Sequence, residues 1–503
     1  MKKLKFLLWA VPFFAFAASA AVGEESIENL LAGYLKNDLT LQNLSAEVAK
    51  QILNNESVQI SNGMSFKLST GSVTLYTGDT TYATLTPSAS LSFPQYNDLT
   101  FSLSSKTTVG SSDAGFSNTS INVQSDIISE KSDDVSISLL KSQRNLLESQ
   151  RQLQNRFTSA EKEFYSNLKS LYQLAAEITS AEKNLYEDKL SFEEIKALGY
   201  STTSSKYRSA QLEVLSDQHT VDTKKHQLER ETKIFASLCG VEYTGSDAAT
   251  DFLPSKIPSV EAIDILSFAE ENYTELESAL WTKKINQAER DAQKTFSLSA
   301  NAGYTFANSN TNTGNSKKAD TVDLGTNFTW QNSGLSASAG VSIPVTSENH
   351  SPIFTFAFSL DPRAFQQAKI SSQIDQLESE QEDISIQSAK KSYQTAVTSQ
   401  QAELADIQWN KSSNTETYNL YTSLAADLKN WYKRGITTES EWRSAEVNKE
   451  NYRIQLLIND IDLIIYNNET TLLFTRDEEL LEKKEAPAQE EEKSAEVLPN
   501  EKN

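Results

Sequence analysis

Residues able to do covalent or metal chemistry are few in this chain of 503 residues, and they are badly spaced for it. His219 and His226 stand seven apart, where a helical zinc pair needs i and i+4, and His350 falls in a stretch that reads as a loop. Cys239 has no second cysteine to pair with. No phosphate-cradling glycine loop or nucleophile elbow appears, so the sequence does not read as an enzyme and calls for no cofactor or metal. What stands out instead is a phrase used twice. "YRSA" at 207–210 and "WRSA" at 442–445 lie 235 residues apart, and they follow Gly199 and Gly435 by eight and seven residues. Beside them sit Arg208, Arg443, Glu441 and Ser444, the last two spaced i and i+3 on one helix face.

The spacing recurs elsewhere. "SIENLL" from Ser26 is answered 233 residues on by "SVEAID" from Ser259, and Asn37 and Leu41 are answered at 235 by Asn272 and Leu276. "FKLS" from Phe66 and "FSLS" from Phe296 open two Ser/Thr-rich regions at a spacing of 230. One order kept at nearly one spacing reads as two tandem halves, about 26–240 and 259–475.

Composition narrows the classes. Three lysines, an apolar run and Ala18-Ser19-Ala20 make residues 1–20 a secretory signal peptide, too short in its apolar part to span a bilayer. No later segment approaches a transmembrane helix, which leaves a soluble exported protein or a β-barrel. A net charge of -22 argues against nucleic acid, whose phosphates demand a basic surface. From Asp477 onward, ten acidic and four basic residues with two prolines read as a disordered acidic tail.

The elements that position the tips come next. From Phe296, the even positions through Phe306 are apolar or aromatic and the odd ones are Ser, Asn, Gly or Thr, a strict period of two. Three further alternating segments follow, around Val322–Trp330, Leu335–Ile343 and Phe354–Leu360. A soluble sandwich also alternates. Here the face between the apolar residues is hydroxyl-rich rather than charged, and Tyr304, Phe306 and Trp330 stand at strand ends where interfacial aromatics belong. The first half reads as four strands with weaker alternation and with Pro87 inside one. Long helical stretches follow each β region. Seven-residue apolar rows run through Leu171, Ile178, Leu185 and Phe192, through Tyr207, Val214, Val221, Leu228 and Phe235, and through Val447, Ile454 and Ile461, as coiled-coil seams do. The stretch from about Ser132 to Leu198 is one helix near 100 Å long or two end to end; the return runs from about Ser204 to Leu238.

The expected organisation is a signal peptide (1–20), a helical lead-in (21–62), first barrel strands (63–128), a first long hairpin (129–240), a linker with a second lead-in (241–294), second barrel strands (295–361), a second hairpin (362–476) and the tail (477–503). One protomer has too few long helices to enclose a wide lumen, whereas several copies could form a tube continuous with a barrel.

The order of lead-in, strands and hairpin, together with the tips "LGYSTTSSKYRSAQ" and "RGITTESEWRSAE", resembles the TolC-like outer membrane efflux proteins over nearly the whole chain. The resemblance implies an α+β membrane protein: a homotrimeric outer-membrane β-barrel continuous with a periplasmic coiled-coil barrel, two repeats per protomer. It also implies the channel of a tripartite efflux or type I secretion system, a passive conduit working with a periplasmic adaptor protein and an inner-membrane transporter. A trimeric adhesin or stalk anchored in outer-membrane lipid is the rival. In the family, acidic residues six and nine places after the second tip glycine help form the periplasmic aperture; here these are Glu441 and Ser444, so a double acidic ring becomes single. Gly199, Gly435, Arg208 and Arg443 fall where the adaptor is expected to dock, the arginines being available to adaptor carboxylates or to neighbouring glutamates. The family supplies two strands per half where four are counted here; either the trimer's barrel has about 24 strands or some pair outside the membrane.

Overall fold

A computed structural model describes residues 27–475, apart from 77–81, 95, 110–114, 129–130, 244–251, 294–295, 311–315, 319 and 347–350. The signal peptide read over 1–20, the acidic tail over 477–503 and His350 lie outside the described residues. The first half runs α1 (Ile27–Asn37), α2 (Leu39–Ser61), β1 (Ser65–Ser69), β2 (Val73–Tyr76), β3 (Tyr82–Leu85), β4 (Ser88–Phe93), β5 (Leu99–Val109), β6 (Gly115–Ile128), α3 (Lys131–Ala197) and α4 (Ser205–Leu238). The second runs α5 (Thr274–Ala292), β7 (Phe296–Asn310), β8 (Ser316–Lys318), β9 (Thr321–Trp330), β10 (Leu335–Pro344), β11 (Ile353–Leu360), α6 (Arg363–Lys433) and α7 (Glu439–Leu472). Where the first half has α1, the second has two short 3-10 turns, Ile265–Ser267 and Glu270–Asn272.

All strands join one antiparallel sheet, ordered β1-β4-β5-β6-β7-β9-β10-β11, with β2 on β3, β3 on β5, and β8 on the far end of β7. The first half's expected four strands are thus cut into six, for a local reason. Pro87 has no N–H for the ladder and interrupts what would be one strand between Leu85 and Ser88. Opposite it, three residues from Thr70 to Ser72 face two, Thr86 and Pro87, which is a β-bulge. Gly71 makes the bulge possible: its φ is +64° and an added Cβ would lie 1.7 Å from the Thr86 carbonyl oxygen. Ser72 N then donates to Thr86 Oγ1 at 2.9 Å, replacing the lost ladder bond.

Register places the apolar residues on one face. Phe66, Leu91, Phe101, Val123, Ala302, Leu324, Val341 and Phe354 form one continuous row across eight strands. The opposite face is mostly Ser, Thr, Asn and Gly, with Lys67, Lys106, Gln124 and Asp323 among them, and is stitched by hydroxyl pairs such as Ser104–Ser120 at 2.7 Å. The apolar face is the exposed one: Phe354, Phe356 and Phe358 are 63, 79 and 72% exposed. A sheet that left this face in water would forgo the burial that normally stabilises it.

The chain divides into two compact units, one of Met1–Asp38, Thr158–Ile263 and Ala402–Glu469, the other of Leu39–Phe157, Asp264–Gln401 and Thr470–Asn503. The second unit holds the sheet, and in it α5 is clamped ionically. Glu277 accepts from Arg144 and from Arg151, each through two guanidinium nitrogens, and Arg290 holds Glu382 through two bonds of 2.9 Å. The first unit holds a core in which Phe164, Leu168, Leu171 and Ile178 of α3 meet Leu228 and Phe235 of α4 and Ile454, Ile458, Ile461 and Ile464 of α7. Lys169–Asp462 at 2.6 Å and Lys411–Asp460 at 2.7 Å flank it. α3 is one unbroken helix of 67 residues: it contains neither proline nor glycine, and Asp133, Asp134 and Lys196 complement its dipole at the two ends.

Candidate functional site: the hairpin tips

Both long helices stop in the same way. After α3, Gly199 takes φ +75°, its N–H bonds to Lys196 O at 3.0 Å and Tyr200 N–H bonds to Ile195 O at 3.4 Å. After α6, Gly435 takes φ +70°, with Gly435 N to Tyr432 O and Ile436 N to Trp431 O both at 2.9 Å. Each is a Schellman stop, in which the left-handed glycine lets two otherwise orphaned carbonyls be satisfied.

The return helices also begin alike, with one difference. Ser204 caps α4, its hydroxyl accepting from Tyr207 N at 3.2 Å. Thr438 caps α7: Glu441 N donates to Thr438 Oγ1 at 3.3 Å while Thr438 N donates back to Glu441 Oε2 at 3.2 Å. This reciprocal pair is a capping box. Thr437 Oγ1 also donates to Glu441, and that bond, followed by the one from Thr438 N, holds the exposed Glu441 carboxyl below its ordinary pKa. The first loop is two residues longer from glycine to cap, five against three, but its tetrapeptide lies one residue nearer the cap. That accounts for eight against seven, and both alanines are buried, Ala210 at 6% exposure and Ala445 at 3%.

The aromatic before each arginine packs back on the outgoing helix. Tyr207 meets Phe192 edge-on at 5.1 Å, with Lys196 over the Phe192 ring; Trp442 stacks on Tyr432 at 5.8 Å, with Lys429 over the indole. Arg443 pairs with Glu439 at 2.8 Å and lies 4.5 Å from the centre of the Tyr186 ring on α3, joining the two hairpins. Tyr432 OH donates to Glu439 Oε2 at 3.3 Å. Arg208 is exposed, Ser444 is half-buried, and the two tips present Leu198, Tyr200 and Ile436 to solvent. The clasp of Tyr186, Tyr432 and Glu439 escaped the sequence reading. Tyr432 and Glu439, seven apart across the turn, carried a faint signal; Tyr186, over 250 residues from Arg443, carried none.

The other candidates for chemistry do not converge. His219 and His226 are exposed on α4, and Cys239 is a buried thiol whose backbone carbonyl packs against Gly33 of α1. Among the described residues no group of three His, Cys, Asp or Glu side chains could hold a metal ion, and no helix is long and apolar enough to cross a membrane.

The chain matches the TP096X N-terminal domain over residues 30–257 and the TP096X C-terminal domain over residues 258–477. It belongs to the TP096X family. In this TP096X chain the two matched domains meet between α4 and α5. No curated protein matches its sequence. Among solved structures the chain is similar to CusC, described for folding and transmembrane channel formation, at 14% identity over 92% of this chain and 96% of that one, TM-score 0.43. It is similar to the outer membrane protein VceC from Vibrio cholerae at 12% identity over 89% and 94%, TM-score 0.42. It is also similar to the Campylobacter jejuni CmeC outer membrane channel at 12% identity over 91% and 88%, TM-score 0.43. These are membrane proteins of the class the sequence resemblance named.

Proposed function

We propose that this chain is the outer-membrane channel of an export apparatus: a homotrimer whose sheets close one β-barrel and whose long helices form a periplasmic tube. It would be a passive conduit serving a periplasmic adaptor and an inner-membrane transporter. The observation that carries the reading is the sheet, with a continuous exposed apolar face, a hydroxyl-rich opposite face, and unpaired outer edges on β1 and β11. A soluble sheet hides its apolar face, whereas a membrane barrel turns it to lipid and keeps polar residues in the lumen. Size agrees. Phe296 and Trp330 face each other at the helix end, and Phe306 lies ten residues up β7, about 34 Å along the strand and about 25 Å across a bilayer at a tilt of ~40–45°. Joining β11 of one copy to the β1–β2 edge of the next would close the two outer edges of the sheet, which lipid does not tolerate open. The two halves, the export signal and the residue ranges read from the sequence belong to this proposal.

In the proposal the tips form the periplasmic entrance. Glu441 would line the aperture as a single acidic ring with Ser444 in the other place, and the same carboxylate would cap α7; Gly199, Gly435, Arg208 and Arg443 would sit in the adaptor's docking region. The first experiment is native mass of the detergent-extracted chain with planar-bilayer conductance on the same sample. A conducting trimer supports the channel; a stable trimer that never conducts, with or without partner proteins, favours a stalk; a monomer removes the shared tube. For the aperture, cation selectivity and multivalent-cation block left unchanged by Glu441→Gln would exclude the ring.

A further inference from the structure

The clamp on α5 has two sides. On one, Asn286 and Arg290 bond Glu382 of α6 at 2.9 Å, the long helix of its own half. On the other, Glu277 takes Arg144 and Arg151 of α3, Trp281 lies under Arg144 at 5.0 Å, and Glu289 pairs with Lys141. α2 is the counterpart of α5: the two helices begin 235 residues apart, and Leu41 and Leu276 are both buried near their starts. Asn55, which falls on Arg290 at that spacing, accepts from Ser142 Oγ of α3 at 3.0 Å, so the own-half side is kept. The other flank of α2, with Ala46, Ala49 and Leu53, is exposed, Leu53 by 60%.

The counterpart of α3 carries the matching surface. At a spacing of 233, the α3 residues Lys141, Arg144, Glu148 and Arg151 fall on Ile374, Leu377, Gln381 and Ile384 of α6. Ile374, Leu377 and Ile384 are 49, 59 and 64% exposed and spaced i, i+3, i+10, a single stripe. The same spacing sets Ser149 on Glu382, both 8% exposed, and Ser142 on Asp375, so the register is fixed by burial and not by the stripe alone.

We propose that a second copy of this chain seats the α2 flank of Ala46, Ala49 and Leu53 on Ile374, Leu377 and Ile384 of α6, so that a joint that is ionic within a chain is apolar between chains. This rests on the oligomeric reading above and adds which surfaces meet and by what chemistry. The difference has a physical use. An apolar seam gains free energy by removing hydrocarbon from water when two copies meet, without the desolvation penalty of burying ion pairs between them. It also enforces pairing. α2 brings no carboxylate at the Glu277 position, since Gln42 stands there, so it cannot satisfy the arginines of α3; and Glu277 on the stripe of α6 would be a carboxylate buried against Ile and Leu.

The test is a disulfide between Leu53→Cys and Leu377→Cys in the full-length detergent-extracted chain, with native mass measured on the same preparation and Ser379→Cys replacing Leu377→Cys as the control on another face of α6. An oligomer by native mass, with a covalent ladder for the pair and none for the control, is the expected result. An oligomer without a ladder, or with equal ladders for pair and control, overturns the seam and leaves the oligomeric reading standing; a monomer sinks both. Independently, Leu377→Glu is expected to raise the protein concentration needed for assembly by about tenfold or more while protection of α5 amides stays unchanged. An unchanged assembly midpoint overturns the seam.

Discussion

Glu277→Gln isolates the ionic side of the clamp. The wild-type carboxylate takes four guanidinium N–H groups, with Arg144 Nη2 at 2.6 Å and both Arg151 nitrogens at 3.1 Å. Burial works to raise its pKa, but the bonds from Arg144 and Arg151 outweigh it and hold the carboxyl below the ordinary range. The amide keeps one acceptor and turns an NH2 toward two cations. Arg144 and Arg151 are only 7 and 10% exposed in their side chains, so water cannot replace what is lost, and Glu148, at 2.6 Å from Arg144 Nε, compensates in part. Stripping one partner from a buried ion pair costs ~3–5 kcal/mol. With Glu277 itself 21% exposed, the low end applies, about 3 kcal/mol, or roughly a hundredfold loss of protection against opening. Amide hydrogen exchange along α5 is the assay, because the change is local and the chain has two units. Replacing Arg144 and Arg151 by Met and Glu277 by Leu together should lose much less, since no buried charge is left alone and Glu148 is half-exposed to water. A fall of less than about fivefold in α5 protection for Glu277→Gln, or an equal loss in the triple variant, would refute the reasoning.

Three further expectations concern the tips and the helical core. Gly435→Ala and Gly199→Ala force alanine into left-handed backbone where nothing lies within 4 Å of the new Cβ, so the cost is conformational alone, about 1–2 kcal/mol each, read as faster exchange in the last turns of α6 and α3; equal exchange would contradict the Schellman assignment. Thr438→Ala should fray the first turn of α7 by about 1 kcal/mol. Since the folded Glu441 pKa is lowered, its half of the box is present above the usual carboxylate range and is lost as pH falls through the lowered value; a first turn equally protected at about pH 3 and about pH 7 would argue against the box. Tyr165 is pushed up to about 12 by burial first and then by Glu161 and Glu28, so the stability it contributes is full below the unfolded phenol pKa of about 10 and declines as pH rises through that interval. Tyr165→Phe should flatten that part of an alkaline titration followed by circular dichroism, and an unchanged slope would show that the phenol does not titrate with the fold.

What could be read from the sequence divides by range. The strands of the second half were legible because one sheet face is uniformly apolar, so a period of two survives from Phe296 to Phe306 and from Leu335 to Ile343. The cut at Pro87 was half-legible: the proline announced trouble, but the compensating bulge needs Gly71 opposite it, sixteen residues away. The heptad rows named the buried residues Leu171, Ile178, Val221, Leu228 and Ile461, because a seam is a local pattern. Whether α3 was one helix or two was not decided by periodicity, which both satisfy. At the second tip, "TESE" from Thr438 to Glu441 spells a capping box in the sequence itself, yet the glutamate drew attention for its charge rather than its reach. Arg443 over Tyr186, and Arg144 and Arg151 around Glu277, depend on which helices meet, and no local pattern carries that.

The halves agree where the chain must do the same thing locally and differ where the neighbour differs. Both tips keep a left-handed glycine, a hydroxyl cap, an aromatic folded back on the outgoing helix and a buried alanine, because turning a long helical pair makes the same demands on the backbone each time. Along the stripe through Lys141, Arg144 and Arg151 the corresponding residues are Ile374, Leu377 and Ile384, a wholesale exchange of charge for hydrocarbon on a helix of the same kind. Packing inside one half cannot explain that exchange, since Ser149 and Glu382, at the same spacing, are equally buried. The stripe must answer to something outside the half. For α3 that something is α5 of the same chain, and its carboxylates are there to be seen; for α6 the apolar stripe calls for an apolar partner, and the exposed Ala46, Ala49 and Leu53 of α2 offer one.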